Sequence, residues 1–84
     1  MLSQQDQIDA WRFMVEETAR SAITARKEHG AEHEVTKHSL KVYEAACYFL
    51  RRVDLSAEIH IERYGLEALN AKEGPDEVGG KRNS

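Results

Sequence analysis

The stretch VTKHSLKVYEAACYFLRRV, residues 35–53, decides the fold of this chain. Read with helical spacing, it places apolar side chains on one stripe at steps of three, four or seven residues over five turns, which is the pattern of an amphipathic helix. The segment therefore predicts a core helix, and it contains no catalytic motif. The predicted buried stripe consists of Val35, Val42, Ala46, Phe49 and Val53.

A second long helix is predicted before this stretch. It should begin near Ser3, with Ser3 or Asp6 as its cap, and end near His29. Gly30 is the residue type most often found just past a helix terminus, although a longer rod that contains Gly30 is an alternative. The apolar stripe of this first helix is expected to be Ile8, Trp11, Val15, Ala19 and Ala22.

Two further segments follow from the same spacing. The helix around the opening stretch is predicted over 32–53, and a third helix over 56–71, weakened internally by Gly65. The junction at 54–56 fits either a short capped turn or a continuous helix, because no glycine or proline marks a stop. Residues 73–84 have the composition of a disordered tail, which leaves one helical domain over 1–72.

Composition narrows the fold class and the compartment. The chain has 84 residues, a net charge of −3 and one cysteine, Cys47, so it cannot form an internal disulfide. No alternating β-branched run, secretory pattern or apolar run of about 20 residues occurs. We therefore predict a cytoplasmic all-α protein: a small bundle of two long antiparallel helices plus a third helix, completed by dimerisation, with no membrane association.

The histidines form the only cluster that suggests chemistry. His29 and His33 are four residues apart, which suits a metal site on a helix, but Gly30 should break the helix between them. His33 and His38 are five apart, so they point to different sides of the helix. We predict a solvated polar turn, a surface position for His60, and neither a metal nor another cofactor.

Catalysis is also not expected. Cys47 lies within an apolar run, where a thiol is usually a buried hydrophobe with a raised pKa and low reactivity. Glu16 and Glu17 are adjacent, so they point in different directions and do not form a catalytic pair. No glycine-rich phosphate loop is present, and we predict that the protein is not an enzyme.

A surplus of apolar residues points instead to a partner. Leu40, Tyr43 and Cys47 form a second strip beside the predicted stripe of the second helix. Ile61 and Tyr64 lie on the side of the third helix away from its own stripe, which is Leu55, Ile59 and Leu66. A compact helical hairpin needs one apolar face per helix, so the remainder predicts an oligomer or a partner surface. The predicted partner-binding residues are Phe13, Met14, Leu40, Tyr43, Tyr48, Arg51, Arg52 and Tyr64.

Two functional hypotheses follow. The first is a non-catalytic protein–protein interaction module, a homodimer that binds and modulates a host protein complex. By size and lack of motif it is similar to the small accessory or inhibitor proteins of bacteriophages and other mobile elements. The alternative is a nucleic-acid-associated transcriptional regulator that uses a basic face of the second helix, although the acidic total disfavours it. The residues of that face are Lys37, Lys41, Arg51 and Arg52.

Overall fold

The computed structural model describes residues 2–73, which contain no strand. The prediction of an all-α fold is therefore confirmed. Apart from Glu73, which ends the last helix, the predicted tail lies outside the described residues. The helices are α1 (Gln4–His29), α2 (Glu34–Val53), α3 (Ala57–Tyr64) and α4 (Leu66–Glu73).

Helix α1 begins and ends where its capping residues predict. The Ser3 hydroxyl accepts a hydrogen bond from the backbone N–H of Asp6 at 3.0 Å. At the other end, Gly30 has φ 94°, a backbone region that favours glycine, and its N–H donates to the Arg26 carbonyl at 2.8 Å. Gly30 therefore ends α1 rather than lying inside a longer rod.

Helix α2 turns back along α1. His33 caps it, because the His33 Nδ1 accepts from the backbone N–H of Val35 at 3.1 Å, so α2 begins two residues later than predicted. The buried Thr36 hydroxyl donates to the Gly30 carbonyl at 2.6 Å and ties the turn to α2. Near the open end of the hairpin, the rings of Trp11 and Phe49 stack with centroids 4.9 Å apart.

The predicted third helix is divided into two. Asp54 has an extended backbone, and its carboxylate accepts from the Ser56 N–H at 2.9 Å, so a turn separates α2 from α3. Gly65 then interrupts the predicted 56–71 helix and separates α3 from α4. Within residues 2–73, none of these helices combines the length and apolar character that crossing a membrane requires.

The buried side of α2 differs from the predicted stripe. Leu50 is fully buried and Cys47 nearly so, whereas Val35, Val42 and Phe49 remain 45, 38 and 43% exposed. The reason is that α2 contacts both α1 and α3, so its buried side is turned toward the gap between them. Ile23, which is not part of the predicted stripe of α1, is also buried, and α1 contacts α3 and α4 as well as α2. The buried apolar residues are Val15, Ala19, Ala22, Ile23, Ala25, Ala46, Cys47, Leu50 and Ala57.

Candidate interaction surfaces

One side of the α1–α2 hairpin is apolar, and no other helix within residues 2–73 covers it. Val35, Val42 and Phe49 recur at intervals of seven residues, so they lie on one side of α2. Trp11 stacks on Phe49, and Met14, three residues after Trp11 on α1, is 39% exposed. We call this surface the hairpin face; it consists of Trp11, Met14, Val35, Val42 and Phe49.

The edges of the hairpin face carry opposite charges. A shallow depression of about 380 Å³ beside Val35 is lined on α1 by two glutamates, Glu17 and Glu28, and by Arg20, which pairs with Glu17. On α2, helical spacing places Lys41 and Arg52 along the other edge. The Arg52 guanidinium lies 5.6 Å from the Tyr48 ring centroid, in the range of a cation–π contact. Glu17 and Glu28 thus outnumber Arg20 on the α1 edge, whereas Lys41 and Arg52 outnumber Glu34 on the α2 edge.

The residues predicted to bind a partner do not form one surface. Met14, Tyr48 and Arg52 lie on or beside the hairpin face, whereas Phe13 and Tyr64 are exposed elsewhere. Phe13 directly precedes Met14 and therefore points about 100° away around α1. Leu40 and Tyr43, together with Ile61, are partly buried within the subunit, and Arg51 lies at a different groove. The fold therefore buries part of the apolar surplus within the subunit. The assignment of these residues to a partner stays a prediction.

A second concave surface lies between α2 and the α3–α4 segment. It has a volume of about 450 Å³ and a floor of mainly apolar side chains with glutamates around it. Arg51 pairs with Glu58 across it through two nitrogen–oxygen contacts, and this pairing lowers the pKa of the Glu58 carboxyl. We call this surface the acidic groove. Its floor is Tyr43, Cys47, Ile61 and Leu66, and its rim is Glu44, Arg51, Glu58, Glu62 and Glu67.

Tyr43 and Gly65 fix the shape of the acidic groove. The Tyr43 hydroxyl accepts a hydrogen bond from the backbone N–H of Leu66 at 2.9 Å, at the start of α4. A Cβ atom on Gly65 would lie 2.5 Å from that hydroxyl and 2.4 Å from the Ile61 carbonyl oxygen. Burial is the main cause that raises the pKa of Tyr43 to about 12, so the phenol stays protonated near neutral pH. Glycine is therefore required at position 65 because a side chain has no room there, and not because of its φ angle.

A buried carboxylate holds the α2–α3 turn against α1. Asp54 is buried, and its Oδ2 accepts from Arg12 Nε at 2.8 Å. Its Oδ1 accepts from the backbone N–H and the hydroxyl of Ser56 at 2.9 and 2.8 Å. The hydrogen bond from Arg12 is the main cause that lowers the pKa of Asp54 to about 2. The pair joins residues that are 42 apart in the sequence.

His60 is not the surface residue that the sequence predicts. Its side chain is only 10% exposed, and its ring lies 4.8 Å from that of Tyr64. The Nε2 atom is 3.1 Å from a Glu16 carboxylate oxygen, without the alignment of a hydrogen bond. The physical reason for the correction is that α3 packs against α1, which brings Glu16 next to the His60 ring.

The histidine turn and Cys47 show no arrangement typical of catalysis. The rings of His29 and His33 stack with centroids 4.6 Å apart, and His33 uses its Nδ1 as a helix cap. Within residues 2–73, no three histidine, cysteine, aspartate or glutamate side chains converge as metal ligands would. Burial is the main cause that raises the pKa of the Cys47 thiol, which disfavours the nucleophilic thiolate.

The residues predicted to contact nucleic acid lie along one side of α2, but not all of them are available. Arg51 is occupied by Glu58, and Lys37 lies 3.9 Å from a Glu32 carboxylate oxygen. Arg52 donates to the Tyr48 hydroxyl at 3.2 Å. Two of the four predicted phosphate-binding side chains thus already face carboxylates, which weakens but does not test the alternative function.

Sequence reasoning missed the contacts that cross between helices. Arg12, Asp54 and Ser56 form one network, yet the sequence suggests Asp54 and Ser56 only as helix caps. The glutamates of the acidic groove belong to three different helices, so no single helix shows them as a cluster. Gly65 was a partial indication of these contacts in the sequence, because a glycine inside a helical pattern often marks close packing.

Comparisons of this chain with protein-family models, with curated proteins and with solved structures found no significant match.

Proposed function

We propose that this protein is a non-catalytic protein–protein interaction module that forms a homodimer through the hairpin face. In this proposal it is a small accessory or inhibitor protein that modulates a partner complex by binding to it and not by catalysing a reaction. The buried, unreactive environment of Cys47 is in line with a non-catalytic role. The observation that carries the proposal is the hairpin face itself.

The hairpin face has the spacing of a helix–helix interface. Isolated exposed apolar residues are common on protein surfaces, but a contiguous apolar patch usually marks an interaction site. Val35, Val42 and Phe49 are each more than a third exposed, and their seven-residue spacing forms a straight seam along α2. Two such hairpins placed face to face would form a four-helix core.

The charged edges favour a second copy as the occupant. In a dimer with its two-fold axis parallel to the helices, α1 of one subunit lies across from α2 of the other. The α1 edge, where Glu17 and Glu28 outnumber Arg20, would then face the α2 edge with Lys41 and Arg52, and the same contact would occur twice. This self-complementary arrangement is why we propose a homodimer rather than an unrelated apolar partner.

Sedimentation velocity of the Val42→Glu variant tests the homodimer. Val42 lies in the middle of the seam, so a buried carboxylate there should raise the dimer dissociation constant at least tenfold, about 1.4 kcal/mol. Helicity by circular dichroism should be unchanged, because glutamate is a good helix former and Val42 is not part of the core. The matched control is Leu55→Glu, which makes the same change in charge at a fully exposed residue away from the face.

The control should sediment like the wild-type protein. A wild-type chain that stays monomeric at every concentration would overturn the homodimer, and so would a Val42→Glu variant that associates as tightly as Leu55→Glu. The nucleic-acid alternative makes a different prediction: binding to duplex DNA that weakens steeply with salt. We do not favour it, since carboxylates already occupy Lys37 and Arg51.

A further inference from the structure

The acidic groove lies on a different part of the molecule from the hairpin face. Its floor is contributed by α2, α3 and α4, with Leu66 and Ile61 opposite Cys47. Its volume of about 450 Å³ falls within the range typical of ligand pockets, about 300–1,000 Å³. The hydrogen bond from the Leu66 N–H to the Tyr43 hydroxyl holds one wall in place, so the groove is already formed in the free subunit.

The rim of the groove concentrates negative charge. Four carboxylates and one guanidinium line it, a net charge of −3 that equals the net charge of the whole chain. Arg51 is bound to Glu58, and the two charges offset each other. Within residues 2–73, Glu44, Glu62 and Glu67 have no ion-pair partner, so the groove has carboxylates left to bind a cation.

We propose that the acidic groove binds a basic amphipathic segment of the partner protein. The proposal rests on the function proposed above and specifies the chemistry of the partner. Apolar side chains of the segment, or the alkyl stems of its lysines, cover Ile61, Cys47 and Leu66. Its ammonium or guanidinium groups then lie against Glu44, Glu62 and Glu67.

The apolar floor and the acidic rim together exclude ligands of a single chemical type. The carboxylates repel phosphate, so a nucleic-acid backbone does not fit. A bare metal ion does not fit either, because no three potential ligands converge within residues 2–73. An apolar helix would bury the glutamates without compensation, which costs free energy. A segment with both lysine and leucine satisfies the floor and the rim together, which is the helix-in-groove mode of recognition.

The test measures binding of a short fluorescein-labelled peptide, built from leucine and lysine in helical spacing, by fluorescence anisotropy. The variant is Glu62→Lys with Glu67→Lys. Both residues are exposed on the groove rim and make no hydrogen bond or ion pair within residues 2–73, so the fold should tolerate the change. We expect the peptide to bind the wild-type protein and to bind this variant at least tenfold more weakly.

A matched double variant controls for total charge. Asp9→Lys with Glu32→Lys makes the same change in net charge at exposed positions outside both the groove and the hairpin face. It should change the affinity by less than twofold, and a peptide with glutamate in place of lysine should not bind the wild-type protein. Equal losses in both double variants, or no binding to the wild-type protein, would overturn the groove assignment.

The dimer variants separate this inference from the function on which it rests. Val42→Glu should still bind the peptide, because Val42 lies outside the acidic groove. The groove variant should still sediment as the wild-type protein does. Peptide binding that is lost in Val42→Glu but kept in Glu62→Lys/Glu67→Lys would place the basic segment on the hairpin face and overturn the groove proposal.

Discussion

Replacing Asp54 with alanine is expected to lower the free energy of unfolding by about 3 kcal/mol, one of the two largest effects for a single side chain outside the apolar core. The substitution removes the Oδ2 acceptor of Arg12 Nε and the Oδ1 atom that accepts from both the N–H and the hydroxyl of Ser56. Of the contacts between Arg12 and the α2–α3 turn, only the hydrogen bond from Arg12 Nη2 to the Ser56 hydroxyl would remain. Arg12 is about a third exposed and regains water, which keeps the expected cost below that of a fully buried pair.

The same carboxylate should make stability depend on pH. Its pKa is about 2 in the folded protein, below the ordinary aspartate value of 3.8, so the folded state favours the ionised form. The ionised carboxylate therefore adds on the order of 2 kcal/mol to the free energy of unfolding. This contribution is fully present above about pH 5 and is lost as the pH falls through about 2. Asp54→Asn should lack this acid-dependent loss.

Urea unfolding followed by circular dichroism checks both effects. The control is Glu17→Ala, which removes the exposed ion pair between Glu17 and Arg20 and should cost about 0.5 kcal/mol or less. An Asp54→Ala variant no less stable than this control would contradict the structural role of Asp54. So would identical acid unfolding of the wild-type protein and Asp54→Asn.

Replacing Gly65 with alanine is expected to lower the free energy of unfolding by about 2–3 kcal/mol. The added methyl group would clash with the Ile61 carbonyl oxygen, which belongs to the backbone, and with the Tyr43 hydroxyl. Either α4 must move away from α3, or the Tyr43 hydrogen bond to the Leu66 N–H must break. Thermal and urea unfolding measure the loss.

A double-mutant cycle identifies the cause. Tyr43→Phe alone should cost about 1 kcal/mol, because the Leu66 N–H loses its acceptor. Combined with Gly65→Ala it should cost less than the sum, since the hydroxyl that clashes with the methyl group is gone. The matched control is Gly30→Ala, where the penalty comes from φ 94° and no atom of the described residues 2–73 lies within 4 Å of the added methyl. Strict additivity of Tyr43→Phe with Gly65→Ala would contradict the steric explanation.

The parts of the fold that depend on neighbouring residues could be predicted from the sequence. The bounds of α1 follow from Ser3 and Gly30, whose capping interactions involve residues only three or four positions away. The buried side of α2 could not be predicted from its own periodicity, because its direction depends on where α3 and α4 lie. Periodicity alone assigns Val35, Val42 and Phe49 to the core for that reason, although they are the edge of the buried surface.

The candidate sites were less predictable than the helices. The sequence shows an excess of apolar residues, but it does not show which of them the fold buries. Tyr43 is half-buried by its contact with Leu66, whereas Phe13 is exposed. His60 shows the same limit. Its neighbour Glu16 is 44 residues away, and only the packing of α3 on α1 brings the two side chains together.

The stack of Trp11 on Phe49 also provides an optical reporter. Trp11 is the only tryptophan of the chain, so intrinsic emission comes from a single indole held between the two long helices. Separation of the helices would hydrate that indole and shift its emission to longer wavelength, whereas coverage by a second copy would shield it from iodide. One unlabelled sample can thus report on hairpin opening and on association.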